Sequence, residues 1–152
     1  MTDFIAWLAA TRASAIVANV SWIIPAVQCL HILCVCVVMA SMLLLTLRLA
    51  GFGATPLADY TGRYRPFVWT ALLILLLTGA ILIVGEPNRD LDNFTFWLKM
   101  ALVAVAAILT AISFRRTGDQ QPVFFRLLAV VALVCWASAA LCGRWIAYTY
   151  MN

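Results

Sequence analysis

Four stretches of this chain are each long and apolar enough to cross a lipid bilayer, and nothing else constrains its fold as strongly. A hydrocarbon layer of ~30 Å takes about 20 residues of helix. Inside it every backbone N–H and C=O must be satisfied without water, which a helix does by itself. The stretches cover residues 20–50, 66–84, 94–114 and 123–147. They predict an all-α integral membrane four-helix bundle, a single transmembrane domain over residues 1–152. Composition agrees, with 66% hydrophobic and 11% charged residues, where soluble domains have roughly half and a quarter. A soluble globular fold and a disordered chain are both excluded. The net charge of +4 falls on residues scattered near span ends. There is no basic stripe and no nucleic-acid motif, so no nucleic-acid partner is expected.

Helix punctuation bounds the spans. The first is longer than a bilayer needs, which predicts tilt or projection, and Pro25 stands near its start, where a missing N–H is tolerated. Gly51 and Gly53 end it. Pro66 is expected to open the second span, and Gly85, Pro87 and Asn88 to break it. Thr117, Gly118 and Pro122 separate the third from the fourth. Ahead of the first span, residues 3–16 read as one short amphipathic helix lying at the membrane interface. Phe4, Ile5, Leu8, Ala15 and Ile16 would share its apolar face, with Asp3, Thr11 and Ser14 as polar positions. The segment lacks a basic start and a continuous apolar run, so it is not read as a cleavable signal.

Orientation follows from the excess of Lys and Arg on cytoplasmic loops. Arg48, Arg63 and Arg65 lie between spans one and two, and Arg115, Arg116 and Arg126 between three and four. The opposite side carries Arg12, Arg89, Arg144 and Lys99 together with Asp3, Glu86, Asp90 and Asp92. Both termini are therefore expected outside, with the Arg-rich segments 48–65 and 115–126 cytoplasmic. Trp22, Trp97, Trp145, Tyr148 and Tyr150 would form the outer aromatic belt, and Phe67, Trp69, Phe114 and Phe124 the inner one. Small residues let membrane helices approach closely. Ala107 with Ala111, the run Ala132–Trp136–Ala140, and Gly79 are the expected contact positions.

Ionisable residues inside a membrane are costly and tend to face the bundle interior or a cavity. His31, the only histidine, lies near the midplane of span one. Gln28 precedes it by three residues and Cys34 follows by three, so the three share one face. Neutral imidazole is a good ligand for haem iron or copper. Lys99 lies a turn and a half into span three, where it either snorkels outward or holds an acidic group. Arg144 is either a boundary anchor or a bidentate carboxylate partner. Trp136, deep in span four, either packs in the bundle or lies beside a planar ligand. The five cysteines, Cys29, Cys34, Cys36, Cys135 and Cys142, form no CxxC pair and no zinc-type cluster.

Trp22-Ile-Ile-Pro25-Ala-Val-Gln28-Cys-Leu-His31-Ile-Leu33 resembles the opening span of a family of small bacterial inner-membrane proteins of uncharacterised activity. The resemblance continues at Leu47-Arg48-Leu49-Ala50-Gly51, Leu77-Thr78-Gly79 and Phe96-Trp97-Leu98-Lys99-Met100. That family is in turn distantly similar to the HemJ-type protoporphyrinogen oxidases and the CopD-type proteins, four-helix membrane proteins of haem and copper. The HemJ likeness implies His31 as an axial haem ligand with Lys99 as its companion. This chain departs from the pattern at Thr46, where relatives carry an acidic residue, and at Phe114-Arg115, where they carry a second histidine.

Three functions follow. The first is a b-type haem protein in electron transfer or a linked oxidation. It would use His31 as metal ligand, Gln28, Lys99 and Arg144 around the haem and Trp136 on its ring, and a symmetric homodimer would supply a second imidazole. The second is a non-enzymatic subunit or scaffold of a larger membrane complex. The third is copper handling or small-solute transport, drawing on Cys29, Cys34, Cys36, His31, Met39 and Met42. No Ser/His/Asp set, phosphate loop or pair of inward carboxylates points to a hydrolase, kinase or glycosidase.

Overall fold

The computed structural model describes residues 2–54, 56–87, 91, 93–115, 118 and 122–149, with the side chains of residues 2, 4 and 146–149 excepted. Arg89, Asp90, Asp92, Arg116, Thr117 and Tyr150, and the Tyr148 side chain, fall outside that description. Six helices are described: α1 (Thr2–Ala9), α2 (Arg12–Asn19), α3 (Ile23–Leu49), α4 (Leu57–Gly85), α5 (Phe94–Ser113) and α6 (Val123–Thr149). The last four are long and apolar enough to cross a membrane. No more than 28% of the apolar window of any of them is buried inside the bundle. The remaining apolar surface is far larger than a soluble monomer exposes, so lipid must cover it.

The four long helices run up and down. His31 pairs with Thr78 and Ser41 with Tyr60 across α3 and α4, and Thr110 pairs with Trp136 across α5 and α6. Residue numbers rise on one helix as they fall on the other, which is an antiparallel register. Close packing joins α3 to α4, α3 to α6 and α5 to α6. Among the described residues α4 and α5 do not pack closely, so one of the four seams of the bundle is loose. The core runs along Cys34, Val38, Met42 and Leu45 of α3 against Val68, Ala71 and Leu75 of α4 and Ala129, Ala132 and Trp136 of α6.

Arg48, Arg63, Arg65, Arg115 and Arg126 gather at one end of the bundle, called here the arginine end. The other, the amino end, holds the starts of α3 and α5 and the finishes of α4 and α6. Helix α3 stops in a Schellman turn: Phe52 N–H donates to Leu47 O and Gly51 N–H to Arg48 O. Gly51 supplies the positive φ of 99° that this turn needs.

Several expectations are corrected. Pro66 does not open the second long helix but lies inside it, nine residues after its start. Leu57, Tyr60 and Thr61 are buried at the spacing of one helical face, and that tertiary packing holds the helix through the proline. Arg63 and Arg65 are therefore helical, and α4, at ~1.5 Å per residue, outruns the hydrocarbon at the arginine end.

The single helix expected over 3–16 is two helices. Thr11 ends one by donating to Leu8 O and caps the next by accepting from Ser14 N–H. Ile5 and Ser14 are buried while Ile16 is 60% exposed, so the expected common face of Ile5, Ala15 and Ile16 does not form. Phe114, expected in an aromatic belt, is buried in the core. On α6 the buried alanines are Ala129, Ala132 and Ala139, not Ala140, and on α5 Ala106 is buried more deeply than Ala107 and Ala111.

Candidate functional site

Helix α3 turns the Gln28–His31–Cys34 face toward the bundle. Cys34 is buried and His31 and Gln28 are half-buried, whereas Cys29 and Cys36 point away and are exposed. The His31 ring lies on α4. Its Nδ1 is 2.8 Å from Thr78 Oγ1, and its Cε1 lies 3.7 Å from the place a Cβ on Gly79 would occupy. The ring thus lies against α4 at ordinary contact distance.

Thr78 Oγ1 is also 2.7 Å from Ile74 O, and a carbonyl only accepts. With the hydroxyl proton on that carbonyl, or on Leu75 O at 3.2 Å, His31 Nδ1–H donates to Thr78 Oγ1. In the neutral ring Nε2 then keeps its lone pair. A metal-binding histidine is usually oriented in this way, its second nitrogen donating to a protein oxygen.

Lys99 approaches from α5. It is half-buried, and its Nζ lies 3.6 Å from where a Cβ on Gly143 would stand, so the ammonium rests against α6. His31, Thr78, Gly79, Lys99 and Gly143 all fall roughly 8–12 Å below the amino end at ~1.5 Å per residue. Gln28 is one turn nearer that end. Arg144 follows Gly143 and is exposed.

Trp136 belongs elsewhere. Its Nε1–H donates to Thr110 Oγ1 at 3.1 Å, and Thr110 donates onward to Ala106 O. It is buried in the α5–α6 seam, about 10 Å deeper than Gly143 along α6 at ~1.5 Å per residue. Its indole N–H is engaged with α5, not with the histidine.

Four further polar side chains in the spans are turned back on their own helices. Ser41, Thr46, Thr70 and Ser113 each donate to the carbonyl four residues back. Among the described residues no three His, Cys, Asp or Glu side chains converge as a metal group would require.

Sequence reasoning did not identify Thr78 or Gly143 as parts of this site. A threonine beside a glycine in a largely apolar span, seven residues before the helix end, was the available signal for Thr78. Nothing in the sequence pairs Gly143 with Lys99.

Fold and site define a four-span helical membrane protein with one imidazole held inside its bundle near one end. The chain belongs to the DUF6644 family, a family of unknown function, which matches residues 2–149. No curated protein and no solved structure matches it. These comparisons do not connect the family to the HemJ-type or CopD-type proteins.

Proposed function

We propose that this chain is a b-type haem-binding protein of the bacterial inner membrane, acting in electron transfer or a linked oxidation. The observation that carries the reading is the 2.8 Å pairing of His31 Nδ1 with Thr78 Oγ1; with the threonine proton on Ile74 O, it supports Nε2 as the lone-pair donor. The donor set fits a haem with one protein imidazole. His31 Nε2 would ligate the iron, Lys99 and Arg144 would take the propionates, and Gln28 would lie one turn above the ring. A homodimer would supply a second imidazole. A haem bound there supplies one-electron oxidation and reduction. The protein's part is to fix the imidazole, neutralise the propionates and keep water out. Copper is less well served, because Cys29 and Cys36 point away from His31.

The arginine end is assigned to the cytoplasm and both termini to the periplasm, following the positive-inside rule. Helices α1 and α2 would then lie at the periplasmic interface.

An absorbance spectrum of the protein purified after expression with ample haem tests the reading. A Soret band is expected, and His31→Ala should lose it. No band, or a band indifferent to that substitution, overturns the assignment.

A second reading, a non-enzymatic subunit or scaffold of a larger complex, is favoured by the loose α4–α5 seam, which a partner's helix could fill. Gentle extraction followed by intact-mass analysis tests it. A solitary chain contradicts it.

A further inference from the structure

The seam that holds His31 is stoppered at its amino end. Helix α2 packs on both α3 and α4 there. A Cβ on Gly85 would come within 2.8 Å of Val17 Cγ1 and 3.5 Å of Ile24 Cδ1. Only glycine at the end of α4 allows the valine of α2 to sit this close. Ile24 precedes His31 by seven residues, and Gly85 follows Thr78 by seven. Seven residues are two helical turns, so each pair shares a face of its own helix. The Val17–Ile24–Gly85 contact therefore sits directly above the His31–Thr78 pair in the same seam, about 10 Å away at ~1.5 Å per residue.

Water entering the α3–α4 seam from that end meets Val17, Ile24 and Gly85, and then Gln28, before it meets the imidazole. Below His31 the face is closed by Cys34, Val38 and Met42, all buried. Yet His31 itself is only half-buried. Among the described residues the seam without close packing is the lateral one, between α4 and α5.

We propose that His31 is reached sideways from the bilayer, and that α2 stoppers the aqueous route, so that the ligand of this site is a membrane-soluble molecule. The inference builds on the His31 site of the proposed function but does not require that the ligand be haem. Its test reads the imidazole directly, so failure to find haem would leave the result intact.

The single histidine makes the test clean. Protein labelled only at histidine, placed in lipid nanodiscs, gives one set of imidazole resonances. Dissolved oxygen concentrates in hydrocarbon, whereas a charged gadolinium chelate stays in water. In the unaltered protein, oxygen should enhance His31 relaxation strongly and the chelate should barely affect it. Gly85→Val wedges α2 away, and Val17→Ser weakens the stopper without a wedge. Either variant should raise the chelate effect severalfold while the oxygen effect persists. Strong chelate relaxation in the unaltered protein would overturn the proposal. So would absence of an oxygen effect, or a chelate effect unmoved in both variants.

Discussion

Thr78→Val removes the one atom that orients His31 while keeping the shape of the side chain. Thr78 is buried, and its hydroxyl both accepts from His31 Nδ1–H and donates to Ile74 O. The Ile74 carbonyl loses only a second partner, because it remains part of the helix ladder. The His31 N–H loses its acceptor outright. Stranding a buried donor costs about 1–3 kcal/mol, but hydrogen bonds between membrane helices average ~0.6 kcal/mol with a maximum near 1.7. The ring is half-buried and can relax, so a loss of about 1 kcal/mol is expected, with Thr78→Ser restoring most of it. The larger effect is chemical. Without Thr78 the proton is free to move to Nε2, and the lone pair that would bind a metal is lost. Nitrogen NMR of the histidine-labelled protein reads this directly. The unaltered neutral ring should show a protonated Nδ1 and a bare Nε2, and Thr78→Val should shift the balance toward protonated Nε2. Unfolding in a denaturing detergent titration gives the stability change. A bare Nδ1 in the unaltered protein, or no change in Thr78→Val, would refute the reasoning.

Two further predictions concern the scaffold. Trp136→Phe and Thr110→Val each break the bond between α5 and α6 and should each cost about 1 kcal/mol; the double variant should cost less than their sum in the same titration, and strict additivity would deny the coupling. Gly51→Ala forces a Cβ onto a φ of 99° and should cost about 1–2 kcal/mol, whereas Gly62→Ala, in open helical space, should stabilise by roughly 0.5–1 kcal/mol; the opposite order would contradict the assigned end of α3.

The spans were legible because hydrocarbon imposes a length and a polarity that a sequence cannot disguise. The expected 94–114 and the observed Phe94–Ser113 differ by one residue. The start of α4 was not legible from punctuation. Pro66 reads as a helix opener, and only the spacing of Leu57, Tyr60 and Thr61, a buried helical face, points the other way. The break at Thr11 was present as a capping threonine followed three residues later by a serine, but the apolar positions around it suggested one continuous face.

At the site, His31 and Lys99 stand out as ionisable residues in apolar runs, and the structure brings them to one level of the bundle. Their partners Thr78 and Gly143 are set by which helix lies beside which. That is a tertiary fact with no local signature. Trp136 shows the converse. Its depth was legible, but its engagement with Thr110 follows from the α5–α6 register alone.

The central claim is that the Nε2 nitrogen of His31 is the protein's ligand to haem iron. Haem per chain in His31→Gly, purified with and without added imidazole, tests it most directly. The account predicts near-complete loss of haem in the variant and its return when free imidazole fills the vacated space. Full haem occupancy without imidazole, or none in the unaltered protein, would contradict it.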